Sequence, residues 1–299
     1  MKTVLVTGAT GKQGGAAARA LRAGGVAVRA LVRKPEAPTV AALRKLGVEI
    51  TLGNLDDPRS LRAACRGVDA VFSVQTPDLQ DLYGDSETRH GRNLVEAAVA
   101  ERVPQFVHTS VSGAGAHHRS VPGWNEGRWK TLEHYWESKA YLDDLVKNAG
   151  FLHWTVLKPS MFMENFVRPS FLFANWVGDQ LLTVLKPDTR LSLISVDDIG
   201  KAVAQIVAEP ERFDRREIEL AGDIRSLREI AENLSEVWKT KIEAPELTPE
   251  EAVARGLLPA FVNSQIYINE NPSPAHPDAA RALGLAPQTF AQWACATWP

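Results

Sequence analysis

Val4-Leu5-Val6-Thr7-Gly8-Ala9-Thr10-Gly11-Lys12-Gln13-Gly14 is the stretch whose reading decides the fold. An apolar run rich in β-branched residues ends at Gly8, and glycines recur at Gly11 and Gly14. The segment that follows, Gly15 to Ala23, carries Ala16, Ala17, Ala18 and Ala20 and reads as a helix. Strand, glycine turn and helix in that order suit a dinucleotide. The first glycine permits the tight turn, the second lets backbone amides approach a pyrophosphate, and the third lets helix and strand pack closely. The amides at the helix start favour the phosphate charge. Gly8, Ala9, Thr10, Gly11, Lys12, Gln13 and Gly14 are therefore the candidate phosphate-binding residues.

Downstream, Gly24-Gly25 stops the helix and Val26 to Arg33 reads as a second strand. An NAD site commonly places an acid near this strand end to accept from the ribose 2′-hydroxyl. Here Arg33-Lys34 stands there, and cations suit a 2′-phosphate, so NADP(H) is the expected cofactor. Val48 to Leu52 reads as a third strand, and Asn54 and Leu55 after it are candidate adenine contacts, although Asn54 to Pro58 also reads as a helix-capping turn. Asp69 to Pro77 reads as a fourth, whose polar exit nominates Gln75 and Thr76 as cofactor neighbours. Phe106 to Ser110 is the fifth. Repeated strand–helix units predict an α/β fold, a Rossmann doubly wound parallel sheet with a smaller α+β C-terminal lobe.

At 299 residues, one large domain plus a lobe is expected. The expected division is an NADP-binding domain over 1–158, with 190–223 returning to it, and a substrate or partner lobe over 159–299. The 34 basic and 36 acidic residues give a net charge of −2 with no block of one sign, which argues against nucleic acid as a partner. The two cysteines form no metal or redox motif, and no apolar stretch reaches the ~18 residues that span a membrane. With Met1-Lys2-Thr3 running straight into the first strand, a soluble cytoplasmic protein is expected.

In the helix read over Leu132 to Ala149, Tyr135 and Lys139 are four residues apart on one face. An ammonium one turn from a phenol stabilises the phenolate, so a lowered Tyr135 pKa is expected, and the same lysine can bond a nicotinamide ribose. Ser110 or Ser112 could orient a carbonyl by chain position. Tyr135, Lys139 and Ser110 are the candidate catalytic residues.

The glycine pattern, the Arg33 exit, Tyr135-x-x-x-Lys139 and Lys158-Pro159-Ser160-Met161-Phe162-Met163-Glu164-Asn165-Phe166 together resemble the NmrA-like family of atypical short-chain dehydrogenase/reductases. The more specific marks are Phe162 to Asn165 and Val196-Asp197-Asp198-Ile199-Gly200. The resemblance implies NADP binding, with Lys139 at the nicotinamide ribose and Met161 and Phe162 on the nicotinamide side. It also implies one of two roles. The first is an NADPH-dependent oxidoreductase reducing an apolar or aromatic carbonyl or quinone-like substrate. The second is a non-catalytic NADP(H) redox sensor that regulates a protein partner through Gly113 to Thr131. The retained Tyr135 favours chemistry. Sugar-nucleotide epimerisation suits the aromatic second half poorly.

In that half, Phe151 to Leu157 is a sixth strand, and Leu191 to Ser195 and Ile218 to Ala221 are expected to return to the sheet. Phe162 to Trp176 reads mainly as lobe core. Asp197 and Asp198 suit the start of a helix, and Ser226-x-x-Glu229 and Thr248-Pro249-Glu250-Glu251 open two more.

Overall fold

The computed structural model describes residues 2–78 and 80–298; Met1, Leu79 and Pro299 lie outside them. Apolar runs alternate with amphipathic helices through the first half. The elements are β1 (Thr3–Val6), α1 (Lys12–Ala23), β2 (Ala27–Val32), α2 (Pro38–Lys45), β3 (Glu49–Leu52), α3 (Pro58–Cys65), β4 (Ala70–Ser73), α4 (Ser86–Ala100) and β5 (Gln105–Thr109). A one-turn helix α5 (Ala116–Ser120), the long α6 (Lys130–Asn148) and β6 (His153–Pro159) follow. The second half contains β7 (Met161–Phe162), β8 (Arg190–Ile194), α7 (Val196–Ala208), β9 (Arg216–Leu220), β10 (Asp223–Ser226) and α8 (Leu227–Trp238). Helices α9 (Pro249–Ala254), α10 (Pro259–Glu270), α11 (Pro277–Ala282) and α12 (Phe290–Thr297) complete it.

Seven strands form one sheet in the order β3-β2-β1-β4-β5-β6-β9, and β1 to β6 pair in parallel. Parallel neighbours need a crossover, which the intervening helices supply. Strand order reverses between β1 and β4, so the loop leaving β1 stands at the switch point where open α/β sheets take their ligands. This is the expected doubly wound α/β fold.

The chain divides into two compact units. The first comprises 1–115, 134–158 and 196–218; the second comprises 116–133, 159–195 and 219–299. In the first, Leu5, Val71, Leu94, Phe106 and Val156 are buried together, with Phe106 stacked on Phe151 at 4.7 Å. The buried alanines Ala16, Ala17 and Ala18 give α1 the smooth face on which α7 lies closely. In the second, Met163, Phe166, Phe173, Leu193, Ile230, Phe290 and Trp293 form a separate core, so most of the aromatic run is lobe interior.

One strand goes elsewhere than the sequence suggests. β9 does join the main sheet, but β8 does not return to it: it lies between β10 and β7 in a three-stranded sheet of the second unit. Its burial there comes from Leu191 and Leu193, which pack into the second core. Helix starts follow local chemistry. Ser226 and Thr248 each form a reciprocal capping box, with Glu229 and Glu251, and Asp197 and Asp198 occupy the first turn of α7.

Candidate active site

The turn after β1 is built for close backbone approach. Gly8 has φ +62°, a region that L side chains rarely enter, and Thr7 pins the turn to β4 by donating to Val74 O (3.1 Å) and accepting from Val74 N (2.8 Å). At Gly14 a Cβ would lie 2.7 Å from Ala9 N and still nearer the Gly8 carbonyl, so the third glycine permits the packing of α1 on the turn. Gly11 is the N-cap of α1 and has no side chain to cap it. The first-turn amides of α1 have no partner within the helix and begin at a glycine turn that Gly11 N closes by donating to Gly8 O (2.8 Å). That cradle fits a phosphate group on its own geometry. Gln13 is tied inward, its Oε1 accepting from Thr109 Oγ1 at the end of β5 (2.8 Å), while Thr10 and Lys12 are exposed.

Arg33 and Lys34 are exposed directly after β2. Asn54 is exposed, but its Oδ1 accepts from Asp56 N (3.2 Å), and Leu55 packs partly into the first core. The capping turn foreseen there is real: Asp57 caps α3 by accepting from Arg59 N. Thr76 is exposed, whereas Gln75 is buried and folded onto Ser73 (3.0 Å). Met161 and Phe162 form β7 of the second unit.

Tyr135 and Lys139 do share a face of α6, with Lys139 Nζ 5.7 Å from the centre of the Tyr135 ring. The ammonium, however, is already engaged. Glu87 of α4 accepts its hydrogen bond at 2.5 Å, and the two side chains are only 8% and 5% exposed. The expected lowering of the Tyr135 pKa is accordingly overturned. Burial pushes the phenol above its usual value; Lys139 pulls it down but Glu87 pushes it up again. Burial disfavours the Lys139 ammonium too, yet Tyr135 and Glu87 outweigh that and raise its pKa.

A second buried polar group runs beneath these residues. His108 Nδ1 lies 3.3 Å from Ser73 Oγ, and its Nε2 is 3.8 Å from Asp143. Lys158 is 3.4 Å from Asp143, donates to Ala114 O at 2.8 Å and pairs with Glu217, which also holds Lys147 at 2.9 Å. Ser110 is buried here; its Oγ makes no hydrogen bond of good geometry, though it is near enough to favour the Asp143 charge. Burial drives His108 down to about 3, with Lys139 and Lys158 reinforcing, and drives Asp143 up to about 6 against the pull of Lys158.

These two shifts act oppositely on acid stability. The unfolded chain protonates His108 near 6.5 and the folded chain only near 3, so stability falls as pH drops between them. The folded chain protonates Asp143 near 6 and the unfolded chain near 3.8, so stability rises as pH drops through that window. Asp143→Asn is therefore expected to steepen the acid loss of stability between 6 and 3.8 by about 1.4 kcal/mol per pH unit. Urea unfolding across this range measures it, and a slope no steeper than wild type would contradict the assignment.

Glu87, His108, Asp143 and Lys158 were not singled out from sequence as site residues. A lysine ending the apolar run Val156-Leu157 and an aspartate one helical turn after Lys139 were the available signals.

A glycine turn at the switch point of a parallel sheet, with half-buried Tyr135 beside buried Lys139 in the same unit, defines a protein of the Rossmann-like dinucleotide fold. The model of the NmrA-like family matches residues 1–273, and the chain belongs to that family. It is 26% identical over 264 residues to an NmrA-like family domain-containing oxidoreductase of Cladobotryum, covering 82% of this chain and 76% of the relative. Two solved structures share the fold. An NADPH-dependent quinone oxidoreductase of Escherichia coli in complex with NADPH aligns with TM-score 0.76 and 18% identity, over 99% of this chain and 100% of that one. NmrA, a negative transcriptional regulator solved with NADP, aligns with TM-score 0.76 and 19% identity, over 100% and 95%. No helix among the described residues is long and apolar enough to cross a membrane.

Proposed function

We propose that the chain is an NADPH-dependent reductase of an apolar or aromatic carbonyl or quinone-like substrate. The observation that carries this reading is the Tyr135–Lys139 pair, set on one face of α6 in the same compact unit as the glycine turn. The amides from Gly8 to Gln13 hold the pyrophosphate, and Arg33 with Lys34 takes the 2′-phosphate by charge. Bound NADPH supplies the hydride. Lys139 would donate to its ribose hydroxyls, and the Tyr135 hydroxyl would give its proton to the substrate oxygen. A phenol held protonated, as burial holds this one, is in the form that such a reduction consumes.

The test is NADPH oxidation over a panel of quinones and aromatic carbonyls. Tyr135→Phe is expected to lower turnover at least about 100-fold, the usual scale for losing a general acid, while NADPH affinity stays unchanged. Undiminished turnover would refute the role of Tyr135. Tight binding with no turnover on any substrate would favour the sensor instead, a role consistent with the likeness in fold to a transcriptional regulator. Recovery of a protein partner that changes with NADPH would then be its mark.

A further inference from the structure

Two lysine–carboxylate pairs among the described residues have both side chains out of solvent, Lys139–Glu87 and Lys158–Asp143. The first has the tighter geometry. Glu87 sits at the start of α4, 52 positions before Lys139 in the chain, and reaches its Nζ at 2.5 Å with both side chains out of solvent. A lone ammonium 5.7 Å from the Tyr135 ring, in so dry a setting, would strongly favour the phenolate. A carboxylate bonded to that ammonium turns the charge into a short dipole, whose effect on the phenol is far weaker.

We propose that Glu87 is a positioning residue that keeps Tyr135 in its proton-donating form by occupying the Lys139 ammonium, so biasing the site toward reduction of a carbonyl and away from oxidation of an alcohol. Oxidation would need the phenolate to take up the hydroxyl proton, and reduction needs the phenol to give one. The other charged groups around Lys139 do not substitute for Glu87. Asp143, one turn further along α6, is already directed to Lys158 of β6, and His108 of β5 is held neutral by burial. The proposal rests on the reading of Tyr135 as the acid and adds what sets its protonation.

The experiment is an NMR pH titration of the dinucleotide-free protein labelled with 13C at tyrosine Cζ. The chain has four tyrosines, and Tyr135→Phe assigns the signal of interest. In wild type the Tyr135 midpoint is expected above the free-phenol value of about 10. Glu87→Gln leaves the ammonium unopposed and is expected to lower the midpoint by about 1–3 units, the scale of one nearby opposite charge. Glu87→Gln/Lys139→Met removes both charges while keeping an unbranched side chain at 139, keeps the test readable if the single variant fails to fold, and is expected to titrate within about 0.5 unit of wild type. An unchanged midpoint in Glu87→Gln, or a rise of more than about one unit in the double variant, would overturn the proposal, because either would mean that Glu87 does not cancel Lys139. No cofactor enters this measurement. Failure of wild type to bind NADPH would instead count against the proposed function and leave the titration result standing.

Discussion

Gly14→Ala is expected to abolish dinucleotide binding and to cost the fold up to about 3 kcal/mol, the scale of an overpacked interior site. The added Cβ has no room: it would fall on the Gly8 carbonyl and 2.7 Å from Ala9 N, both of them backbone atoms that cannot rotate away. Relief requires α1 to lift from the turn. Gly8 is held by its positive φ and, through Thr7, by two hydrogen bonds to Val74, so the turn does not yield easily. Moving α1 displaces the amides proposed here to hold the phosphates, so binding and stability are expected to fall together. Urea unfolding and NADPH calorimetry on the variant measure both. Wild-type behaviour in either would show that the approach at Gly14 is not what shapes the cradle.

Lys139→Met is expected to destabilise the folded chain by about 3–5 kcal/mol, because it strands the Glu87 carboxylate in a site only 5% exposed. A loss of that size is a large share of the ~5–15 kcal/mol that holds a typical domain. Burying the pair gives no large net gain in stability; the penalty arises from breaking it by halves. Glu87→Gln/Lys139→Met should therefore be more stable than Lys139→Met alone, although it departs from the wild-type sequence at one more buried position. Denaturant midpoints of the three chains test this. A single variant as stable as wild type would mean that Glu87 finds water or another partner.

What could be read in the sequence was what the chain arranges locally. The turn from Gly8 to Gly14, the helical spacing of Tyr135 and Lys139, the capping box at Ser226 and the helix start at Thr248 all lie within a few residues, so spacing and residue type were enough to predict them. The sheet followed from the alternation of strands and helices. β8 was legible as a strand but not as a member of the smaller sheet, since Arg190-Leu191-Ser192-Leu193-Ile194 specifies burial without naming a neighbour. The electrostatics of the site were hidden for the same reason. Whether the Tyr135 pKa falls depends on the burial of the phenol and then on Glu87, which α4 brings to Lys139 of α6. Gln75 illustrates the limit on a smaller scale: its place at a strand exit was evident, but its inward bond to Ser73 depends on which way the chain leaves β4.

The family and the sheet place the glycine turn where a dinucleotide would lie, and the chemistry proposed here depends on that ligand and on its 2′-phosphate. Calorimetry of the wild-type chain and Arg33→Ala with NADPH and NADH tests this most directly. The account predicts that wild type binds NADPH at least about tenfold, or ~1.4 kcal/mol, more tightly than NADH, and that Arg33→Ala removes most of that preference while leaving NADH affinity unchanged. No heat with NADPH, or equal affinity for the two dinucleotides in wild type, would contradict it.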